Sequence, residues 1–521
     1  MTDLEEVNST IFITGAGPGD PNLLTLKAKE VIENADVIVY DNLVSNDILE
    51  LALFINPTVK LIYAGKVSGE HKKSITQEQI NNLLVDLAKD YKIICRLKGG
   101  DPNIFGRGGE EAVFLKKNNI NFEIIPGVSS ITAVPAYAGI PLTHRDCTSS
   151  FTVISAHEDP DNPHSTINWN SFDAINCTLV LLMGIKNLPG IINKLISLGR
   201  DKKTPIAIIY SGTISTQNTF VSTLENAIND FENHKLKAPS VIVIGSVVNY
   251  REVLNWFETK PLFGKKVLIT RSKEQSYTLA TNLIKVGAKP ISCPIVSYRV
   301  NEKEIYNKSI INNIPSFDWI FFTSQNAVRF FFEILNKNCY DSRILKGLQI
   351  ATVGHKTKSE LLKYNIKADF VPKKFSFEDL ITELTEKIKL NDKKILLPTQ
   401  AGLERATTAN ITKWEIYNAD FLDELDLSIL DQFNEKIDII TFFSSNTAIY
   451  FSQLIKKHNL QNSVRNTLIA AIGEETSRTV KDCFGKADII ANPYTEEGLI
   501  KTMENYFKKS NDAHLLKKVN R

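Results

Sequence analysis

Ile11-Phe-Ile-Thr-Gly-Ala-Gly-Pro-Gly-Asp20 decides the fold class. A short apolar run of strand character enters a glycine turn. An apolar face of helical period follows, carried by Leu23, Leu24, Leu26, Ala28, Val31 and Ile32. A second apolar run, residues 37–40, ends at Asp41. Strand, turn, helix and strand in that order is how α/β domains begin. Glycines let a ligand approach the backbone, and the start of the next helix offers N–H groups without partners. The turn alone is not diagnostic. A dinucleotide loop would want Gly-x-Gly-x-x-Gly, which Pro18 and Asp20 break, and a purely structural turn reads equally well.

Outward from this start, short apolar runs recur at residues 92–95, 122–125, 151–154, 178–182, 205–209 and 240–244. A boundary falls near residues 256–264, where Pro261 and Gly264 precede a fresh strand at 266–270, a helix at 277–286 and a strand at 289–293. The second half repeats itself. Asp318, Ser324 and Asn326 recur as Asp438, Ser444 and Asn446, each 120 positions on. Gly354, Thr357, Asp369 and Ile381 recur as Gly473, Thr476, Asp488 and Ile500, each 119 positions on. A near-constant offset of this kind predicts two similar α/β lobes.

A chain of 521 residues exceeds what one core supports, so at least two units are expected. With 43% hydrophobic and 23% charged residues it has the composition of a soluble folded protein. A net charge of +2 gives no support for a nucleic-acid partner. The six cysteines are scattered without a Cys-x-x-Cys pair, which argues against a zinc site or a disulfide framework and for buried thiols. Residues 1–10 are polar and acidic, unlike a signal peptide, and no apolar run approaches the ~20 residues that span a bilayer. The expected setting is cytoplasmic, with no membrane partner and no metal.

Two further segments join the first turn. Arg96-Leu-Lys-Gly-Gly-Asp-Pro-Asn-Ile-Phe-Gly-Arg-Gly-Gly-Glu110 combines paired glycines, a carboxylate and three cations between a strand and a helix. Pro126-Gly-Val-Ser-Ser130 and Ala136-Tyr-Ala-Gly-Ile-Pro-Leu-Thr-His-Arg145 come next. Together these segments resemble the signatures of uroporphyrinogen-III C-methyltransferases, in collinear order over residues 10–256. The resemblance implies a tetrapyrrole methylase of two α/β lobes, with S-adenosyl-L-methionine in the cleft between them. Pro18, Gly99, Gly100, Asp101, Ile104, Ser129, Ser130, Met183 and Gly212 match its cofactor-binding positions. Asp41 matches its proton acceptor and Lys66 its proton donor. Val67 stands where the family commonly has arginine, and His157 lies in Ser-Ala-His in place of Thr-Gly-His.

The chemistry agrees with these assignments. Methyl transfer to a pyrrole carbon is an in-line displacement governed by positioning, and the ring gains positive character that a carboxylate such as Asp41 relieves. Asp41 reads otherwise as a strand-end turn residue, and Lys66 as a solvated surface lysine. The implied substrate, uroporphyrinogen III, carries many carboxylates. Arg96, Lys98, Arg107 and Arg145, with His144, are candidate clamps because Arg pairs bidentately with carboxylate. The same cations read alternatively as ties within the loops.

The second half shows neither paired catalytic carboxylates nor a phosphate loop. Gly264-Lys-Lys-Val-Leu-Ile-Thr-Arg271, Phe322-Thr-Ser-Gln-Asn-Ala-Val328, Val353-Gly-His-Lys-Thr357 and Ile472-Gly-Glu-Glu-Thr476 resemble uroporphyrinogen-III synthase over residues 264–505. That family has two lobes joined by a two-stranded linker, with the outward crossing here near 297–300 and the return near 414–418. The resemblance implies closure of hydroxymethylbilane with inversion of ring D and loss of water, without a cofactor. Tyr417 matches a tyrosine near the family's cleft, where it assists departure of the hydroxyl or simply packs in the linker. Thr323, Ser324, Gly354, Thr357, Ser444, Gly473 and Thr476 are candidate substrate contacts, or else helix caps. Phe443 stands where many relatives have threonine, and residues 397–400 depart from an arginine-bearing segment.

The fold class expected is therefore α/β: a two-lobed tetrapyrrole methylase, residues 8–256, followed by two similar α/β lobes of synthase type, residues 264–505. A lobe of about 300–412 would be inserted, and residues 506–521 would form a polar tail. The expected function is transfer of two methyl groups to uroporphyrinogen III, giving precorrin-2, together with closure of hydroxymethylbilane to uroporphyrinogen III. The alternative is a methylase of a later corrin intermediate whose second half binds tetrapyrrole without catalysis. The methylase resemblance implies a homodimer through the first half.

Overall fold

The computed structural model describes residues 9–65, 75–162, 164–165, 167–172, 177–232, 238–374, 376–403 and 410–519. Among them the chain forms four five-stranded sheets. The opening segment becomes β1, Thr10–Gly15, and the first sheet continues with β2 (Val37–Tyr40), β3 (Lys60–Tyr63), β4 (Ile93–Lys98) and β5 (Asn121–Ile125). Their order is β3-β2-β4-β1-β5 and every pair given is parallel. Parallel strands need crossovers that cover both faces, and the central β2 accordingly reads as an unbroken apolar run. Ile11 and Ile13 of β1 are fully buried on one face, and Cys95 and Leu97 of β4 on the other.

Helices α1 (Leu26–Asn34), α2 (Asn46–Ile55), α3 (Gln77–Leu87), α4 (Gly108–Lys117) and α5 (Ser130–Tyr137) connect and cover this region. Local chemistry fixes their starts. The Thr25, Ser45 and Thr76 side chains cap α1, α2 and α3, and Thr76 with Gln79 completes a capping box.

The second sheet is mixed: β6 (Phe151–Ser155), β7 (Thr178–Leu182), β8 (Pro205–Tyr210), β9 (Asn218–Thr223) and β10 (Ser240–Ile244), in the order β6-β7-β10-β8-β9. β10 runs antiparallel to both neighbours. Ile131, Val134 and Ala138 of and beside α5 pack against Val180, Ala207, Ile209 and Val243 of this sheet.

The fresh start after the boundary is β11 (Lys266–Ile269), followed by β12 (Lys289–Ser292), β13 (Val296–Val300), β14 (Trp319–Phe322), β15 (Gln349–Thr352), β16 (Ile395–Gln400), β17 (Ile411–Phe421), β18 (Ile439–Phe442), β19 (Leu468–Ala471) and β20 (Ile489–Ile490). They form two sheets, β12-β11-β18-β19-β20 and β13-β17-β16-β14-β15. The two-lobed repeat is thus physical, with one sheet built from chain inserted within the other. The linker strands are β13 and β17, antiparallel with Val300 opposite Tyr417 and Arg299 opposite Asn418. They are also members of the inserted sheet, because β17 pairs in parallel with β16 on its other side.

The last helix, Glu496–Val519, runs through the stretch expected to be a polar tail. That stretch holds neither Gly nor Pro, so nothing in it stops a helix. By contact the chain divides into two compact units: the chain up to Val267 with Tyr277–Ile291 and the chain from Ala491 on, and Leu268–Ser276 with Ser292–Ile490.

Candidate functional site

Three glycine segments of the first half converge at one point. A Cβ on Gly15 would lie 2.5 Å from Gly127 Cα and 2.7 Å from Gly100 O, so this junction of the three motifs admits no side chain. Gly17 and Gly100 form an isolated bridge, and Asp101 accepts hydrogen bonds from Gly127 N at 3.1 Å and Asn103 N at 2.8 Å. The first turn is also tied to two other loops. Ser45 Oγ donates to Gly19 O at 2.7 Å, and Asp20 N donates to Thr213 Oγ1 at 3.2 Å.

These ties enclose a cavity of about 680 Å³ lined by Pro18 and Gly19, the 42–45 turn, Ser130 and Val134, Met183 and Ser211–Gly212, among others. Its size is that of an ordinary small-molecule site. Of the residues matched to cofactor positions, Pro18, Ser130, Met183 and Gly212 line it directly. Gly99 lies against Leu43, Gly100 against Ser130 N, and Ser129 caps α5 next to Ser130. Asp101 spends its carboxylate holding the glycine segments together. Ile104 is not among the lining residues. Its side chain is 41% exposed on the turn that follows Asp101.

The walls are set for close approach. A Cβ on Gly212 would sit 2.4 Å from Val134 Cγ1. Met183 and Ser211 take φ values of 59° and 47°, where non-glycine residues are strained by ~1–3 kcal/mol, and such strain gathers at ligand clamps. Leu43, Lys186, Ser211 and Ile214 line the cavity and were not singled out from the sequence. Backbone strain at Ser211 has no signature in residue type.

Asp41 follows β2 immediately before the 42–45 turn. Its Oδ1 accepts from Leu43 N at 3.0 Å and its Oδ2 from Arg96 Nη2 at 3.3 Å. Lys66 lies outside the described residues.

Of the expected clamps, Arg96 and Lys98 sit as the alternative reading, internal ties, would have them. They are buried, 2% and 5% exposed, and their charge is used internally. Alternation along β4 puts both on the face of Ile94, which packs under α3 and α4. There Glu111, fully buried, accepts from Lys98 Nζ at 2.8 Å and Arg96 Nε at 3.3 Å. Burial, and then the neighbouring Arg96, hold the Lys98 ammonium below the usual lysine range. Arg107 is exposed but paired twice with Glu110, at 2.9 and 2.7 Å. Arg145 is exposed, and among the described residues no ion pair holds it. His144 beside it stacks on Tyr250, ring centroids 4.0 Å apart.

In the second half the predicted contacts fall at strand carboxyl ends. Ser324 caps the helix Gln325–Lys337 through Ala327 N at 3.0 Å, and its hydroxyl lies 3.2 Å from that of Tyr417. Tyr417 is 5% exposed and stacks on Phe330. Thr323 precedes this cap, while Gly354 and the buried Thr357 open the helix His355–Leu362. On the other sheet Ser444 caps Ser445–Lys457, and Gly473 and buried Thr476 open Glu474–Phe484. The cap reading therefore holds for both serines, and it leaves their neighbouring N–H groups at the strand ends. Arg271, at the end of β11, packs over the Phe443 ring at 4.4 Å.

The family model described as tetrapyrrole (corrin/porphyrin) methylases matches residues 10–228, and that described as uroporphyrinogen-III synthase HemD matches residues 277–501. The porphyrin biosynthesis protein HemD of Ruminiclostridium josui is 34% identical over 94% of this chain and 96% of its own length. This chain belongs to that family of fused methylase–synthase proteins. The uroporphyrinogen-III C-methyltransferase of Bacillus subtilis (strain 168) is 39% identical over 68% of this chain and 72% of its own. The S-adenosyl-L-methionine-dependent uroporphyrinogen III methyltransferase of Methanosarcina barkeri (strain Fusaro / DSM 804) is 45% identical over 47% of this chain and 94% of its own. The first half is accordingly a methylase dependent on S-adenosyl-L-methionine and the second a uroporphyrinogen-III synthase. The cavity fits that group: it has the volume, strained clamps at Met183 and Ser211, and a wall at Gly212 where only hydrogen is accommodated. Among the described residues no cluster of side chains is arranged to hold a metal, and no helix is long and apolar enough to cross a membrane.

Proposed function

We propose that the cavity bounded by Pro18, Leu43, Ser130, Met183 and Gly212 is where the methylase half works, and that Asp41 is its proton acceptor. The observation that carries this reading is the position of Asp41, oriented by Leu43 N and Arg96 at the edge of the turn that lines the cavity. S-adenosyl-L-methionine, when bound, supplies an electrophilic methyl group. Gly212 and Met183 fix its place by contact, and the apolar wall of Val134, Ile209 and Val241 excludes water. Asp41 then takes the proton released as the methylated pyrrole regains conjugation. Lys66 is the donor in this reading, and Arg145 is the cation available to a substrate carboxylate.

In the synthase half, Tyr417 donates to the departing hydroxyl of hydroxymethylbilane. Ser324, Thr323 and the N–H groups at the helix start after Gly354 hold its carboxylates, and Ser444, Gly473 and Thr476 do so from the other sheet. The domains are residues 8–256 and 264–505, with 300–412 inserted and 506–521 following. The protein works in the cytoplasm as a homodimer through the methylase half.

Purified protein supplied with hydroxymethylbilane tests the whole reading. Without S-adenosyl-L-methionine the type III macrocycle accumulates; with it, the dimethylated product forms. Type I macrocycle alone would remove the synthase mechanism, and type III that is never methylated would remove the methylase one. Sedimentation at low concentration checks the dimer, which a monomer retaining full activity would exclude.

A further inference from the structure

Glu111 serves no helix cap and no surface pair. It sits in the first turn of α4, fully buried, and gathers three donors on one oxygen: Lys98 Nζ at 2.8 Å, Gln77 Nε2 at 3.1 Å and Arg96 Nε at 3.3 Å. Its second oxygen, Oε2, is buried with no hydrogen-bond partner. A carboxylate in such surroundings is costly to keep, and replacing a buried ion cluster by apolar residues is often neutral or stabilising. Stability therefore does not explain it.

Geometry offers an explanation. Arg96 is held at both ends. Its Nε is fixed by Glu111, Nη1 donates to Val39 O at 3.4 Å and Leu97 O at 3.3 Å, and Nη2 points at Asp41 Oδ2. The planar guanidinium transmits orientation, because its donors form a rigid fork. We infer that Glu111 is a positioning residue for methyl transfer, acting through Arg96 to aim the Asp41 carboxylate. Lys98 balances its charge, and Gln77 ties the same oxygen to the start of α3.

The inference rests on Asp41 being the proton acceptor, and a double-mutant cycle separates the two claims. Asp41→Asn, Glu111→Gln and the double variant are assayed for kcat and KM of methyl transfer, with S-adenosyl-L-methionine affinity measured by calorimetry. Misplaced catalytic geometry costs up to ~100-fold, so Glu111→Gln is expected to lose about tenfold or more in kcat with unchanged cofactor affinity. In the Asp41→Asn background the same change is expected to lose nothing further, and Glu111→Asp, which keeps the charge, to recover part of the rate. A folded Glu111→Gln protein with wild-type kcat, or an equal loss in both backgrounds, overturns the inference while leaving Asp41 in its role. Wild-type kcat in Asp41→Asn overturns the role of Asp41, and the inference with it. If Glu111→Gln does not fold, Arg96→Lys replaces it in the cycle. Lysine keeps a cation beside Glu111 but lacks the second arm toward Asp41, so the same outcomes decide.

Discussion

The Ser324 and Tyr417 hydroxyls lie 3.2 Å apart across 93 residues of sequence, one capping a helix and the other on a linker strand. A phenol inside a linker strand, stacked on Phe330 and beside a hydroxyl at the end of β14, suits assistance to a leaving hydroxyl. Tyr417→Phe is expected to slow macrocycle closure by ~10²–10⁴-fold, the range of general acid–base contributions. It should cost only ~0.5–1.5 kcal/mol in stability. Assay of type III against type I product decides, and an unchanged rate would leave Tyr417 as a packing residue.

Asp41→Asn should reduce methyl transfer by ~10²–10⁴-fold. S-adenosyl-L-methionine should still bind normally, because Asp41 is not among the residues that line the cavity. Radiolabelled methyl transfer with parallel calorimetry measures both.

Gly212→Ala should weaken the cofactor by tenfold or more, ~1.4 kcal/mol, since its methyl would arrive 2.4 Å from Val134 Cγ1. Macrocycle closure, carried by the other half, should continue at the wild-type rate. An alanine variant with normal affinity would show that the wall yields.

Burial pushes the Cys95 and Cys293 thiols up to about 12, while Cys339 is exposed. At pH 8 a thiol reagent should label Cys339 within the native protein and reach Cys95 and Cys293 only on unfolding. The sign of the pH effect follows. Between about 9 and about 12 the unfolded chain loses these protons and the folded chain keeps them, so their stabilising contribution is complete below 9 and fades as pH rises. Denaturant melts across that range test it.

Trp414→Ala should cost ~3–5 kcal/mol, because the ring is 1% exposed and packs at the centre of the inserted lobe. Its indole N–H also donates to Glu304 at 2.9 Å, and that acceptor would be left without it. Urea midpoints measure the loss.

Much of the architecture was legible because it rests on local patterns. The recurrence of Asp369 as Asp488 has a plain cause: Asp369 accepts from Ile350 N at 2.7 Å, and its counterpart Asp488 accepts from Ile469 N at 2.8 Å, each pinning the strand of its own lobe. Ser324 and Ser444 recur because each caps the helix after its strand. For Arg96 and Lys98 the charge is visible in the sequence and the direction is not. The two-residue period of β4 placed them beside Ile94, but the deciding partner, Glu111, stands on another element. Met183 and Ser211 were half legible: the family pattern pointed to Met183, while the positive φ that both adopt depends on tertiary constraint.

The lobe carried between β13 and β17 enters and leaves its host through a single antiparallel ladder, with Val300 facing Tyr417. Its two ends are therefore neighbours. To the host sheet, so large an excursion of chain closes like the two legs of a hairpin, and the loop-closure entropy of the long insertion is met inside the lobe's own folding. Such a parcel tolerates being lengthened, trimmed or exchanged at its far side without disturbing the strands that hold it, which makes the ladder the natural seam for grafting a lobe from a relative.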